Sequence, residues 1–207
     1  MNKLIIIGAG GLGKEVLEII RSTRNGAYIA GFLDDDRMLQ GKEIAHGVKV
    51  IGYTRNVSDV MDGTEYIVAL GDNKTRAMIA NRSRVRFATA IHHSAIVPMY
   101  LTATDLIIGA GAVVTEPSVK IGNHVHIDAG CVVSHDVVLS NFVRLNPGAL
   151  VMGGCVIGEG ALIAAGAVIR DGVKVGAWAT VGMGSVVLED VPAGAMVFGV
   201  PAKRAGS

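Results

Sequence analysis

The chain has 207 residues, half of them hydrophobic, enough for one ordinary domain or two small ones and too apolar for disorder to be its main state. Nineteen Lys and Arg against eighteen Asp and Glu leave a formal net charge of +1, so no global field would hold it on nucleic acid or an anionic membrane, and a small-molecule partner is expected. Cys131 and Cys155 are its two cysteines and lack paired spacing, which leaves a disulfide scaffold or a cysteine zinc site without support.

The first stretch, Met1 to Gly13, has one lysine and a four-residue apolar run before its glycines. That is too short for a signal-peptide core or a membrane span, so a cytoplasmic location is expected. Leu4 to Ile7 reads as a strand, Gly11 to Arg24 as a helix, and Tyr28 to Leu33 as a second strand ending in Asp34, Asp35 and Asp36. This is a βαβ start. A third strand at Tyr66 to Leu70, then Gly71-Asp72-Asn73 and a helix-like Lys74 to Arg82, continue the alternation. The segment is too short for a complete two-half dinucleotide fold, which argues against NAD. Gly8, Gly10 and Gly13 satisfy G-x-G-x-x-G between strand and helix, where exposed N–H groups can cradle a diphosphate. Asp34 and Asp35 stand at about the spacing of a ribose-binding acid. The plainer alternative is that the glycines close a tight turn and the aspartates solvate a strand end.

From residue 121 onward every sixth residue is aliphatic: Ile121, Ile127, Val133, Leu139, Leu145, Val151, Ile157, Ile163, Ile169, Val175, Val181 and Val187. A second series, four residues later, runs from Val125 through Cys131, Val137, Val143 and Ala149 to Val191, all small or β-branched. A period of six fits neither a helix nor one long strand; it fits short strands separated by turns and wound so that equivalent positions stack. Both series are expected to face inward, which argues against either cysteine as a nucleophile. Gly122, Gly158, Gly176 and Gly182 follow the aliphatic residue and are expected at corners that need positive φ. Ile91, Val97, Ile108 and Val114 are weaker, earlier starts, interrupted around Met99 to Asp105, with one extra residue near Lys120. The domain junction is expected at 87/88, and the end is expected to be an extended tail, Pro192 to Arg204. Val138, Leu150, Val156 and Leu162 are apolar outward candidates that homo-oligomerisation would cover.

Of six histidines, His135 takes the third position of its hexad, at a turn, and Asp136 follows it. An imidazole oriented by a neighbouring carboxylate is the arrangement of a general base.

The hexads resemble the hexapeptide repeat of left-handed β-helix proteins, in which three hexads make one coil. The stretch Cys131-Val-Val-Ser-His135-Asp136-Val-Val resembles the catalytic segment of the NeuD/PglD family of sugar acetyltransferases. Together with the glycine-loop segment and the closing Gly199-Val200-Pro201-Ala202-Lys203, the resemblance covers almost the whole chain. It implies an α/β fold: a Rossmann-like βαβ domain over residues 1–87 that binds a nucleotide sugar, then a left-handed parallel β-helix over 88–207. It further implies acetyl-CoA as cosubstrate, His135 as base with Asp136 as its orienter, and direct transfer without an acetyl-enzyme. Gly153, Ala165 and Met183 match positions along the pantetheine groove, and Asp128 matches a polar position near the acceptor. Gly8, Gly10, Gly13, Asp34 and Asp35 match the nucleotide-sugar region. A homotrimer with three interfacial sites is implied, with no nucleic acid and no membrane span.

Two positions depart from the pattern. Arg144 stands where many relatives carry a second histidine near the thioester, so it falls to an oxyanion, a CoA phosphate or the solvent; Leu12 replaces a glycine-loop histidine. The implied acceptor is a UDP-linked 4-amino sugar, acetylated on nitrogen. Sialic acid O-acetylation and a nucleotide-binding trimeric scaffold with an inert His-Asp turn are the alternatives. His124, His126 and His135 as a zinc set, as in β-helix carbonic anhydrases, rests on His-x-His spacing alone, and no metal is expected.

Overall fold

Three consecutive isoleucines suit a strand covered on both faces, and Ile5, Ile6 and Ile7 are buried in β1 (Lys3–Ile7) at the middle of a sheet. The computed structural model describes residues 3–23, 28–59, 63–99, 101–115 and 118–205. Close Cα packing divides the chain into two units, Met1–His93 and Ser94–Ser207.

In the first unit α1 (Gly11–Ser22) buries Val16, Leu17, Ile19 and Ile20 as one apolar stripe. It ends at Ser22, where a helix to Arg24 was expected; Arg24 lies outside the described residues. The chain continues through β2 (Tyr28–Leu33), β3 (Glu43–Ala45), β4 (Val48–Gly52), β5 (Thr64–Val68), α2 (Asn73–Arg82) and β6 (Arg86–Phe87). The strand order is β3-β4-β2-β1-β5-β6, antiparallel only between β3 and β4. After β2 and its neighbours the chain crosses back to β5 on the other side of β1, so the topological switch lies between the carboxyl ends of β1 and β5. The β3–β4 hairpin is absent from the sequence reading. Its turn is His46-Gly47, both at positive φ (50° and 78°), which the twist of a two-residue hairpin requires.

The second unit is a left-handed β-helix. Two-residue strands stack into three parallel sheets, exemplified by the pairs Val138↔Val156, Arg144↔Leu162 and Leu150↔Val168, each partner one coil of 18 residues further on. Below them the step is 19, as in Ile108↔Ile127 and Val114↔Val133, which accounts for the phase shift near Lys120. Members of both hexad series from Val125 to Val191 are buried, and Ile121 at the start is half-buried. The expected extended tail instead folds back: Met196–Gly199 continues one sheet beside Thr180–Val181, and Ala202–Arg204 pairs with it antiparallel. No helix among the described residues is long and apolar enough to cross a membrane.

The corner glycines need a correction. Positive φ falls two residues later than expected, at positions such as Gly130, Gly148, Gly154 and Gly166, while Gly122, Gly158, Gly176 and Gly182 have none. Those four are glycine because the next coil presses on them: a Cβ on Gly158 would lie 2.5 Å from the Ala177 backbone nitrogen, whereas one on Gly166 meets nothing within 4 Å. Backbone cannot swing aside. Gly158→Ala is therefore expected to cost about 3 kcal/mol, at the upper end of overpacking, and Gly166→Ala about 1 kcal/mol of left-handed strain. Urea unfolding midpoints lowered equally by the two would contradict this.

Candidate active site

At the corner that follows Val132–Val133, the chain turns through Ser134, His135 and Asp136, and Asp136 takes a left-handed conformation (φ 58°) that a short polar side chain tolerates. His135 Nδ1 lies 3.0 Å from Asp136 Oδ2. Hydrogen bonding from His135 first and Ser118 second holds the Asp136 carboxyl below the usual carboxylate range. The anion then fixes the tautomer whose lone pair is on Nε2. One coil on, the imidazole lies against Gly153: a Cβ there would sit 2.5 Å from Cε1 and 2.6 Å from Nε2. The Gly153 N–H donates to Asp171 Oδ1 at 3.1 Å, another coil on. Asp171 is absent from the sequence candidates, although two 18-residue steps from His135 reach it. The His135 and Asp136 side chains are 61% and 67% exposed, so one chain alone does not enclose the base.

The other positions of the second unit are distributed differently. Ala165 and Met183 stack on another corner, where the Gly184 N–H donates to the Ala165 carbonyl at 2.9 Å, and Met183 is 80% exposed. Within one chain they do not share a corner with Gly153. Asp128 follows the strand His126–Ile127 that pairs with Arg144–Leu145, and the two side chains meet there: Nη2 donates to Oδ2 at 3.0 Å and Nε at 3.3 Å, with Asp128 and Arg144 only 7% and 17% exposed. The histidines separate: His124 Nδ1 lies 2.7 Å from buried Asp105, His126 pairs in register with Arg144, and His135 turns to Asp136. No group of three or more His, Cys, Asp or Glu among the described residues converges as a metal site. Both cysteines are buried; burial pushes the Cys131 thiol up to about 12 and raises that of Cys155 as well, leaving neither as a ready thiolate.

In the first unit the glycine loop is built by close approach. Gly8 (φ 103°) lies against the loop after β5, where a Cβ would be 2.6 Å from the Ala69 oxygen, and a Cβ on Gly13 would be 2.0 Å from the Gly8 oxygen. Gly10 instead faces open space and caps α1 with no side-chain bond and no acid in the first turn. The first turn of α1 has no side-chain cap and no acidic residue of its own, the setting that suits an anion. Asp34 and Asp35 already have protein partners. Asp34 Oδ2 accepts the Ala9 N–H at 2.8 Å, bracing the glycine loop, and Asp35 accepts both the N–H (2.9 Å) and the hydroxyl (2.7 Å) of Thr54. Each carboxylate oxygen keeps a second lone pair for a ribose hydroxyl.

The PglD N-terminal domain family matches residues 3–83, and the bacterial transferase hexapeptide repeat family matches 136–171 and 154–189. Among solved structures, a perosamine N-acetyltransferase variant from Caulobacter crescentus, in complex with CoA and GDP-perosamine, is 31% identical over 100% of this chain and 98% of its own, with a TM-score of 0.91. The chain belongs to the NeuD/PglD family of sugar acetyltransferases. The acetyltransferase domain of PglB from Neisseria gonorrhoeae, in complex with acetyl coenzyme A, is another similar structure: 33% identical, covering 98% of each chain, TM-score 0.89. WeeI from Acinetobacter baumannii is 25% identical over 97% of this chain and 98% of its own, TM-score 0.70. No curated protein sequence matches. The Arg144 guanidinium is neutralised by Asp128, so neither side chain presents an uncompensated charge.

Proposed function

We propose that this NeuD/PglD-family member transfers the acetyl group of acetyl-CoA to the amine of a nucleotide-linked sugar, a UDP-linked 4-amino sugar, with His135 as general base. The observation that carries the mechanism is the His135 ring fixed between the Asp136 carboxylate and the bare Cα of Gly153. The amine nitrogen attacks the thioester carbonyl as Nε2 takes its proton, Asp136 stabilises the imidazolium, and a backbone N–H of the corner meets the oxyanion. The C–S bond then breaks, and the imidazolium returns the proton to the CoA thiolate. No residue is acetylated.

Residues 1–87 hold the nucleotide sugar, with its diphosphate on the Gly8-Gly10-Gly13 loop and its ribose at Asp34 and Asp35; residues 88–207 hold acetyl-CoA. One extended cofactor that touches both Gly153 and the Ala165–Met183 corner needs two copies of the chain, and a closed homotrimer makes three such sites. The same closure excludes water from His135. We place the reaction in the cytoplasm, where acetyl-CoA is available.

The test is thiol release from acetyl-CoA with UDP- and GDP-linked amino sugars and with free sialic acid. Release on a nucleotide amino sugar with an amide product is expected; release on sialic acid alone gives the O-acetyl reading, and no release on any acceptor removes the proposal. Because the Asp136 carboxyl is held low, it stays ionised until the pH falls well into the acid range, and its support of the ring is lost only there. Asp136 should therefore add no ionisation of its own to the acid limb of kcat/KM near neutral pH, where the acceptor amine must also lose its proton. A step in that range that Asp136→Asn abolishes would show Asp136 titrating with the base.

A further inference from the structure

The nucleotide-sugar reading gives the diphosphate and the ribose partners but leaves the base without one. The carboxyl ends of β2 and β4 lie side by side, the Asp34 N–H donating to the Gly52 carbonyl at 3.0 Å. Asp35 then grips the loop after β4 through both donors of Thr54, and Arg82 Nη2 donates to the same hydroxyl at 3.1 Å. Asn56 Oδ1 accepts the Tyr53 N–H at 3.1 Å, so the turn carrying Tyr53 and Arg55 is held from both sides. On this braced turn the Arg55 guanidinium lies 4.6 Å from the centroid of the half-buried Tyr53 ring. Arg55 is exposed.

We infer that Tyr53 and Arg55 form the nucleobase site beside Asp35, and that they favour a base with a carbonyl at pyrimidine C4 or purine C6, uracil or guanine, over cytosine or adenine, which carry an amino group there. The inference rests on the nucleotide-sugar reading and refines it. A base leaving a ribose held at Asp35 reaches the residues tied to that carboxylate, and Thr54 ties Tyr53 and Arg55 to it. An aromatic ring offers a stacking face to any base. A guanidinium is donor-only: it matches the O6 and N7 of guanine or the O4 of uracil, and at the same position it meets the amino group of adenine or cytosine. Stacking therefore supplies affinity, and Arg55 supplies the choice.

The test is titration calorimetry of the full chain with UDP, GDP, CDP and ADP, comparing wild type with Tyr53→Ala, Tyr53→Phe and Arg55→Met. In wild type the better of UDP and GDP is expected to bind about tenfold more tightly than CDP or ADP. Arg55→Met should reduce that preference to about twofold or less, losing the donors while keeping an apolar stem. Tyr53→Ala should weaken the preferred nucleotide about tenfold, and Tyr53→Phe, which keeps the ring, should bind as wild type does. A wild type with no preference, or an Arg55→Met variant with the preference intact, overturns the inference while leaving nucleotide binding in place. Failure of wild type to bind any of the four removes the nucleotide-sugar reading with it.

Discussion

His135→Ala is expected to lower kcat about 10²–10⁴-fold, the contribution of a positioned general base, while Tm moves by no more than about 2 °C. The separation follows from where the side chain sits: the imidazole is mostly exposed, packs into no core, and bonds to an equally exposed Asp136. The double series of buried hexad residues holds the coil without it. Asp136→Asn should cost less, about tenfold, because an amide still accepts from Nδ1 but no longer stabilises the imidazolium. Steady-state kinetics with both substrates varied give the check. If His135→Ala keeps kcat and instead raises KM for acetyl-CoA, the ring is a wall of the cofactor groove and another group takes the proton.

The β-helix was legible because its rule is local and periodic: a residue at i and another at i+4 point inward, and the repetition is carried by the one-dimensional string. The corner arithmetic was legible too. Steps of 18 put Gly153 with His135, and Ala165 with Met183, on two different corners. What the string does not carry is why a given glycine is there. Gly158 and Gly166 stand at different places in the hexad, but only the fold shows that one yields to a neighbouring backbone and the other to its own φ. The His46-Gly47 hairpin escaped because histidine is not the usual partner of glycine in such a turn, and three-residue β3 has too few positions to show an alternation. In the first unit the acids were found by spacing, but Ala9 with Asp34 and Thr54 with Asp35 are contacts between segments 25 and 19 residues apart. No repeat predicts those, so Thr54, and with it Tyr53 and Arg55, came into view only through the fold.

Gly153→Ala is expected to reduce kcat about 10²-fold, a misplacement effect on the base. The new methyl would lie 2.5, 2.6 and 3.1 Å from His135 Cε1, Nε2 and Nδ1, distances at which the ring must leave its place. Folding should hardly change. Gly153 is not among the residues at positive φ, and the obstructing group is an exposed side chain rather than the backbone that confronts Gly158. The bond from the Gly153 N–H to Asp171 survives the substitution as well, since alanine keeps the donor. Because the methyl acts by moving the imidazole, its effect should vanish when the imidazole is gone: His135→Ala with Gly153→Ala should be about as slow as His135→Ala alone. A further loss of about 10²-fold in the double variant, accompanied by a raised KM for acetyl-CoA, would assign Gly153 to the cofactor instead. The single and double variants together therefore decide whether this glycine is the floor of the base or part of the pantetheine groove.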